Sequence, residues 1–288
     1  MIEVNEEIRA ASAVVALETT LVAHGFPPGE GVDVGLEAER AVRDAGAVPA
    51  TIGVFGGKIR VGLTAEELAQ FDGTARKAGP RELAACAVQG TVGATTVGGT
   101  LAVCRAAGLR FMGTGGLGGV HRRFAQRPDV SADLGQLART EVLVVSSGIK
   151  SLLDVAATME ALETLGVPVL GYRTDEVPLF YSARGGPPAA ARVESAREAA
   201  DVAHAHWELD GRGLLLAQAP PTSLEDVEPL IEEALQEAER QGVHGQGITP
   251  FALAYLHERS GGETLRVNRE LVVANARLAA QVAVAAAS

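Results

Sequence analysis

Seven short apolar runs punctuate this chain: VVAL (14–17), TIGVF (51–55), IRVGL (59–63), LRFM (109–112), EVLVVSS (141–147), VPVLGY (167–172) and GLLLAQ (213–218). Longer stretches with helical spacing of apolar residues separate most of them, and that alternation restricts the chain to an α/β fold. Runs this apolar belong in a sheet covered on both faces. The expectation is a central mixed, mostly parallel sheet flanked by helices, in a single domain over residues 1–288. TIGVF and IRVGL lie too close together for a crossover, so Gly56, Gly57 and Lys58 read as a hairpin turn with Lys58 as a solvated charge. Thr64 and Glu67 have the spacing of a capping box, and Ser223 precedes the acidic start of a helix ending at Gly242. A long helix through SLLDVAATMEALETLG is expected to start beside Lys150, and the last third reads as paired helices closing back on the sheet. Residues 171–188 break the periodicity and read as an irregular loop, a lid or a subunit contact.

Charge narrows the function classes. A net charge of −11 argues against a binder of nucleic-acid polymers or of membrane surfaces, because both need a basic face. The acidic MIEVNEEIRAA start is unlike a signal peptide, and the alanine-rich C-terminus reads as the end of a packed helix. Cys86 and Cys104 read as small buried hydrophobes, which fits a reducing cytoplasm.

Only three of the 25 basic residues are lysines: Lys58, Lys77 and Lys150. Arg stays protonated, whereas Lys in a shielded site can lose its proton and attack a carbonyl. Arg bias with random leftovers is the competing explanation, so context decides. Lys150 follows an apolar strand at an expected helix start, where burial and the helix dipole would both favour the free amine. Glu18 ends the VVAL run, at the strand end where open α/β sheets place ligands.

Other motifs carry less. Gly113 to Gly118 match G-x-G-x-x-G after a strand, but the basic, Pro-containing stretch that follows is no pyrophosphate-binding helix. The loop, with Thr114, His121 and Arg122, reads either as a nest for a single phosphate or as a structural turn. Ser147 and Lys150 match S-x-x-K without the other elements of a serine acylase. Asp129 and Asp133, four apart around a Ser131 helix start, would share a face if both were helical, as a divalent-cation site or as dipole-complementing caps. His204 and His206 point apart on a helix and read as surface residues.

Taken together, ALETTLVAHGFP (16–27), GTVGATTV (90–97), GTGGLGGVHR (113–122), DVSADL (129–134), SSGIKSLLD (146–154) and ITPFALAYL (248–256) resemble the pseudouridine-5'-phosphate glycosidase family across nearly the whole chain. The resemblance implies reversible cleavage of the C–C glycosidic bond of pseudouridine 5'-phosphate to uracil and ribose 5-phosphate, manganese (Mn2+) as cofactor, and a homotrimer. It implies that Lys150 is the nucleophile, attacking C1' to form a ring-opened Schiff base, and that Glu18 is the acid at the ring oxygen. Lys77 would lie near the phosphate, and Thr114 and His121 would surround the substrate. Asp129 would hold the metal, while Ser131, Ala132 and Asp133 would contact substrate and Val97 would lend main chain. Asn268, or alternatively Asn275, would read the uracil edge. Two other function classes stay open on the residues: a non-catalytic sugar-phosphate-binding protein, and a hydrolase using Ser147 with Lys150.

Overall fold

The computed structural model describes residues 1–224 and 226–288. All seven apolar runs form strands, and four three-residue strands join them. In chain order they are β1 (Ile2–Val4), β2 (Val14–Glu18), β3 (Val48–Phe55), β4 (Lys58–Val61), β5 (Arg76–Ala78), β6 (Gly93–Thr95), β7 (Phe111–Gly113), β8 (Leu143–Ser146), β9 (Val169–Tyr172), β10 (Ala191–Val193) and β11 (Leu214–Gln218). One mixed sheet runs in the order β1-β4-β3-β2-β7-β8-β11-β9-β10, with β6 also paired to β3 and β5 to β6. Its pairings are parallel except β3 with β4 and β3 with β6. The hairpin turn forms as expected, but Lys58 opens β4 and pairs with Glu3 at 2.9 Å instead of standing alone in solvent.

Successive residues of a strand point to opposite faces, and the central strands carry apolar side chains on both. Val15, Leu17, Leu143, Val145, Leu214 and Leu216 pack on one face with the helices Glu30–Asp44, Ala196–Glu208 and Glu263–Ala287. Ala16, Val144 and Leu215 pack on the other with Leu83–Gln89, Val97–Ala107, Ala132–Leu137 and Val155–Thr164. The C-terminal helix Glu263–Ala287 crosses β2, β7 and β8. It lies so close that a Cβ on Gly113 would meet the Ala276 Cα at 2.9 Å, which explains a glycine at the end of β7.

Several expected boundaries move. The helix expected beside Lys150 begins at Val155, because the Asp154 side chain accepts the Ala157 N–H and caps it there. Lys150 therefore sits in a turn before the helix, and the dipole argument for its amine does not apply. The Thr64–Glu67 capping box is present on a single-turn helix, Ala65–Leu68. The helix expected after Ser223 starts at Glu228; Glu225, in the acidic stretch between, lies outside the described residues. His204 and His206 are half-buried, with the His204 ring tilted against Trp207 at a centroid distance of 5.6 Å. Cys86 and Cys104 are free and buried, and burial pushes the Cys104 thiol up to about 12.

Candidate active site

A cavity of about 430 Å³ opens at the carboxyl ends of β2, β7 and β8, where an open α/β sheet places its ligands. Glu18, Lys77, Val97, Thr114, His121, Asp129, Ser131, Ala132, Asp133, Lys150 and Asn268 all line it. They come from positions 18 to 268, brought together from strand ends, helix starts and the loops between them.

Glu18 ends β2 and is 8% exposed, and its carboxyl accepts a hydrogen bond from the Thr114 hydroxyl. Burial raises its pKa above the usual carboxylate range, against the opposing pulls of the Lys150 ammonium and the Thr114 hydroxyl. A carboxyl whose pKa is raised by burial is suited to general-acid work. Lys150 faces it from the turn after β8, which the Lys150 amide fixes by donating to the Leu117 carbonyl at 3.1 Å.

Lys77, at the centre of β5, is half-buried. Burial lowers its pKa below the usual lysine range and the nearby Lys150 charge adds to this, while Asp133 and Glu18 oppose. Val97 is the first residue of the helix Val97–Ala107, whose start is capped by the Thr96 hydroxyl on the Gly99 N–H at 3.1 Å. A helix N-terminus beside a lysine forms a seat for an anion.

Asp129 and Asp133 do not share a helix face as the spacing allowed. The helix Ala132–Leu137 starts after the Ser131 cap, so Asp129 precedes it. A bridge between Val120 and Val130 sets Asp129 opposite His121, with the His121 Nε2 3.9 Å from its carboxylate. Burial lowers the pKa of His121, with Asp129 opposing and the two lysines adding. The Asp133 carboxylate accepts from the Gly98 amide at 2.7 Å and the Gly118 amide at 3.0 Å, locking the helix start to the glycine-rich loop. A Cβ on Gly118 would lie 2.5 Å from Asp133 Oδ2 and Ser131 Oγ, so the loop glycine serves close approach.

The phosphate-nest reading of that loop loses three of its amides and Arg122, which leaves the structural turn. The Thr114, Leu117 and Gly118 amides already donate to Val145, Gly148 and Asp133, and Arg122 turns away to Glu228 and the Ser151 carbonyl. Ser147 is fully buried, does not line the cavity and bonds Asn275, which leaves the S-x-x-K hydrolase without a nucleophile at the pocket. Asn268 lines the cavity, whereas Asn275 is buried behind it.

A manganese ion would find limited protein ligation. Among the described residues no group of three or more metal-ligating side chains forms. Both Asp133 oxygens and one Glu18 oxygen are taken by protein donors, but the Asp129 carboxylate is about a third exposed and faces the cavity. A hard divalent cation that keeps most of its water needs few protein ligands, so the residues fit an ion anchored through Asp129.

Thr20, His24, Thr96, Phe180, Thr249, Pro250 and Leu253 also line the cavity but carried no assignment from the sequence. Thr96 had a readable signal, a threonine ahead of an apolar helix. Phe180 had none, because its place depends on a left-handed backbone (φ 60°) in the 171–188 loop.

The family described as indigoidine synthase A like protein matches residues 3–285. The curated pseudouridine-5'-phosphate glycosidase of Salinispora tropica is 47% identical, with 100% of this chain and 91% of the relative covered. That of Caldanaerobacter subterraneus subsp. tengcongensis is 43% identical over 98% of this chain and 96% of the relative. Among solved structures, prealnumycin C-glycosynthase in complex with ribulose 5-phosphate superposes with a TM-score of 0.88 at 39% identity, covering 100% of this chain and 97% of the other. An indigoidine synthase A-like protein from Thermotoga maritima gives 0.90 at 36% identity, with the same coverage.

Proposed function

The chain belongs to the indigoidine synthase A like protein family, and from that membership and the cavity we propose that it cleaves the C–C glycosidic bond of pseudouridine 5'-phosphate, reversibly, through an imine on Lys150. The observation that carries this reading is a lysine after β8 and a buried acid of raised pKa at the end of β2, one strand apart on the same cavity, in a chain whose relatives are named for that reaction. The ribulose 5-phosphate complex of the C-glycosynthase supports a sugar phosphate as the ligand class.

A C–C glycosidic bond has no leaving nitrogen to protonate, so covalent catalysis divides the barrier. The Lys150 nitrogen bonds to C1' as the C1'–O4' bond breaks, and Glu18 delivers its proton to O4'. The nitrogen gives up a proton to the carboxylate left on Glu18, and its lone pair then forms C1'=N as the bond to uracil C5 breaks and that carbon takes up a proton. Water hydrolyses the imine, freeing ribose 5-phosphate and the amine. Arg cannot perform the first step.

Lys77 would lie near the phosphate, with the Val97 main chain at the start of the helix Val97–Ala107 beside it. Thr114 keeps the Glu18 carboxyl in place, and Asn268 would meet the uracil edge. Ser131 and Asp133 shape the sugar's side of the wall, with Ala132 between them. Asp129, with His121 opposite, would hold a manganese ion, which when bound supplies positive charge to offset developing negative charge.

The test is incubation of purified protein with pseudouridine 5'-phosphate and manganese, followed by chromatographic detection of uracil. Release at catalytic turnover is expected, and its absence across metal conditions contradicts the reading.

A further inference from the structure

Asn275 is fully buried on the helix Glu263–Ala287, two turns after Asn268 and therefore on the same face. Its Nδ2 donates to the Thr114 carbonyl at 2.8 Å and lies 3.3 Å from the Gly115 carbonyl and 3.2 Å from Ser147 Oγ. Its Oδ1 accepts from Gln218 Nε2 at 2.8 Å. Thr114 is the first residue after β7, Ser147 the first after β8, and Gln218 the last of β11. One carboxamide thus ties together the ends of three adjacent strands.

Two of those ends carry the chemistry. Thr114 hands its hydroxyl to Glu18, and Ser147 opens the turn that ends at Lys150, where its own carbonyl receives the Phe180 amide at 3.0 Å. The surrounding helix is lined with buried apolar residues such as Val272, Ala276 and Leu278, where an amide is costly unless its donors and acceptor are matched. Here they are matched to the strand ends that bear the site.

We propose that Asn275 is a positioning residue for the reaction set out above. It holds Thr114 and Ser147, and through them the Glu18 carboxyl and the Lys150 amine, in register across the cavity floor, and it fixes the rotation of the helix that presents Asn268. Ser147 accordingly serves as a strut, which accounts for a buried serine three residues before the lysine. The proposal rests on the reading of Lys150 and Glu18 as the reacting pair.

The test compares Asn275→Ala, Gln218→Ala, Thr114→Val and the Asn275→Ala/Thr114→Val double variant with wild type, per folded molecule. Asn275→Ala is expected to lower kcat for uracil release about 10- to 100-fold with KM changed less than about 3-fold, the size of effect produced by small misplacement of reacting groups. Gln218→Ala, at a half-buried position that removes one hold on the amide, keeps the question open to test should Asn275→Ala fail to fold; it is expected to lower kcat a few-fold. The double variant is expected to lose less than the product of the two single losses, because the two changes share the Glu18 carboxyl as one route of action. A purely structural Asn275 predicts wild-type kcat in folded Asn275→Ala, wild-type kcat in Gln218→Ala, or losses that multiply in the double variant, and any of these overturns the proposal. Borohydride trapping of ribose 5-phosphate on Lys150 reads the same geometry without C–C cleavage. Equal trapping rates in wild type and Asn275→Ala overturn the positioning role, whereas trapping without uracil release in wild type overturns only the glycosidase reading.

Discussion

On the floor of the cavity, Glu18, Thr114 and Lys150 stand at the ends of adjacent strands and are held by buried hydrogen bonds, whereas the far wall is held by charges in water. That wall comprises the 121–131 loop, with His121, Asp129 and Ser131, and the helix Ile248–Arg259, with Thr249, Pro250 and Leu253. Arg122 reaches Glu228 at 2.5 Å, and Arg123 pairs with Glu232 and Glu239. Exposed pairs of this kind contribute little each and are weakened by salt. A buried hydrogen bond left without its partner costs about 1–3 kcal/mol, so the floor tolerates little adjustment. The difference implies a division of labour: on the proposed function, the floor would fix the geometry of bond cleavage, and the far wall would bear on binding more than on the reacting groups.

The largest effect that would sharpen this comparison is on the floor. Lys150→Arg is expected to lower uracil release by roughly 10³-fold or more while leaving the thermal midpoint within a few degrees, because it keeps charge and bulk but removes the nucleophile. Steady-state assay with a thermal melt checks both halves. Glu18→Gln comes next, with a loss of about 10²- to 10⁴-fold in kcat expected for a missing general acid. Because the folded pKa of Glu18 is raised, its acid form persists above the ordinary carboxylate range. The rate should therefore fall as pH climbs through that raised value. Stability has the same sign: the contribution of Glu18 is full below its unfolded pKa and is lost as pH rises through the folded one, and Glu18→Gln should abolish this dependence in melts across pH. The smallest effect belongs to the far wall. Arg123→Ala is expected to raise KM no more than about 3-fold, to leave kcat unchanged, and to matter less at high salt. A kcat loss comparable to that of Glu18→Gln would erase the distinction between the two walls.

The sequence made the sheet legible because its core strands are apolar on both faces, so each run of four or more such residues marked one. β1, β5, β6 and β10 were missed because three residues such as Arg76–Ala78 or Gly93–Thr95 carry no period; they exist through pairing with neighbours. The helix expected from Ser151 starts at Val155, four residues later, for a readable reason, since Asp154 offered a cap that Lys150 does not. Glu18 stood out through its place at a strand end, and Lys150 through its rarity and position. What holds them did not. Asp133 reaches Gly98 across 35 residues and Asn275 reaches Thr114 across 161, and such pairings depend on topology that no local spacing encodes. The resemblance to a family supplied candidate wall residues that periodicity could not, and of its two alternative asparagines Asn268 lines the cavity while Asn275 is buried behind it.

The most direct measurement is borohydride reduction of the protein during turnover with ribose 5-phosphate and uracil, followed by peptide mass spectrometry. The expected result is a reduced ribose 5-phosphate adduct on Lys150, absent from Lys58 and Lys77 and lost in Lys150→Arg. Turnover with Lys150 unmodified, or an adduct on Lys77 instead, would contradict an imine at the cavity floor.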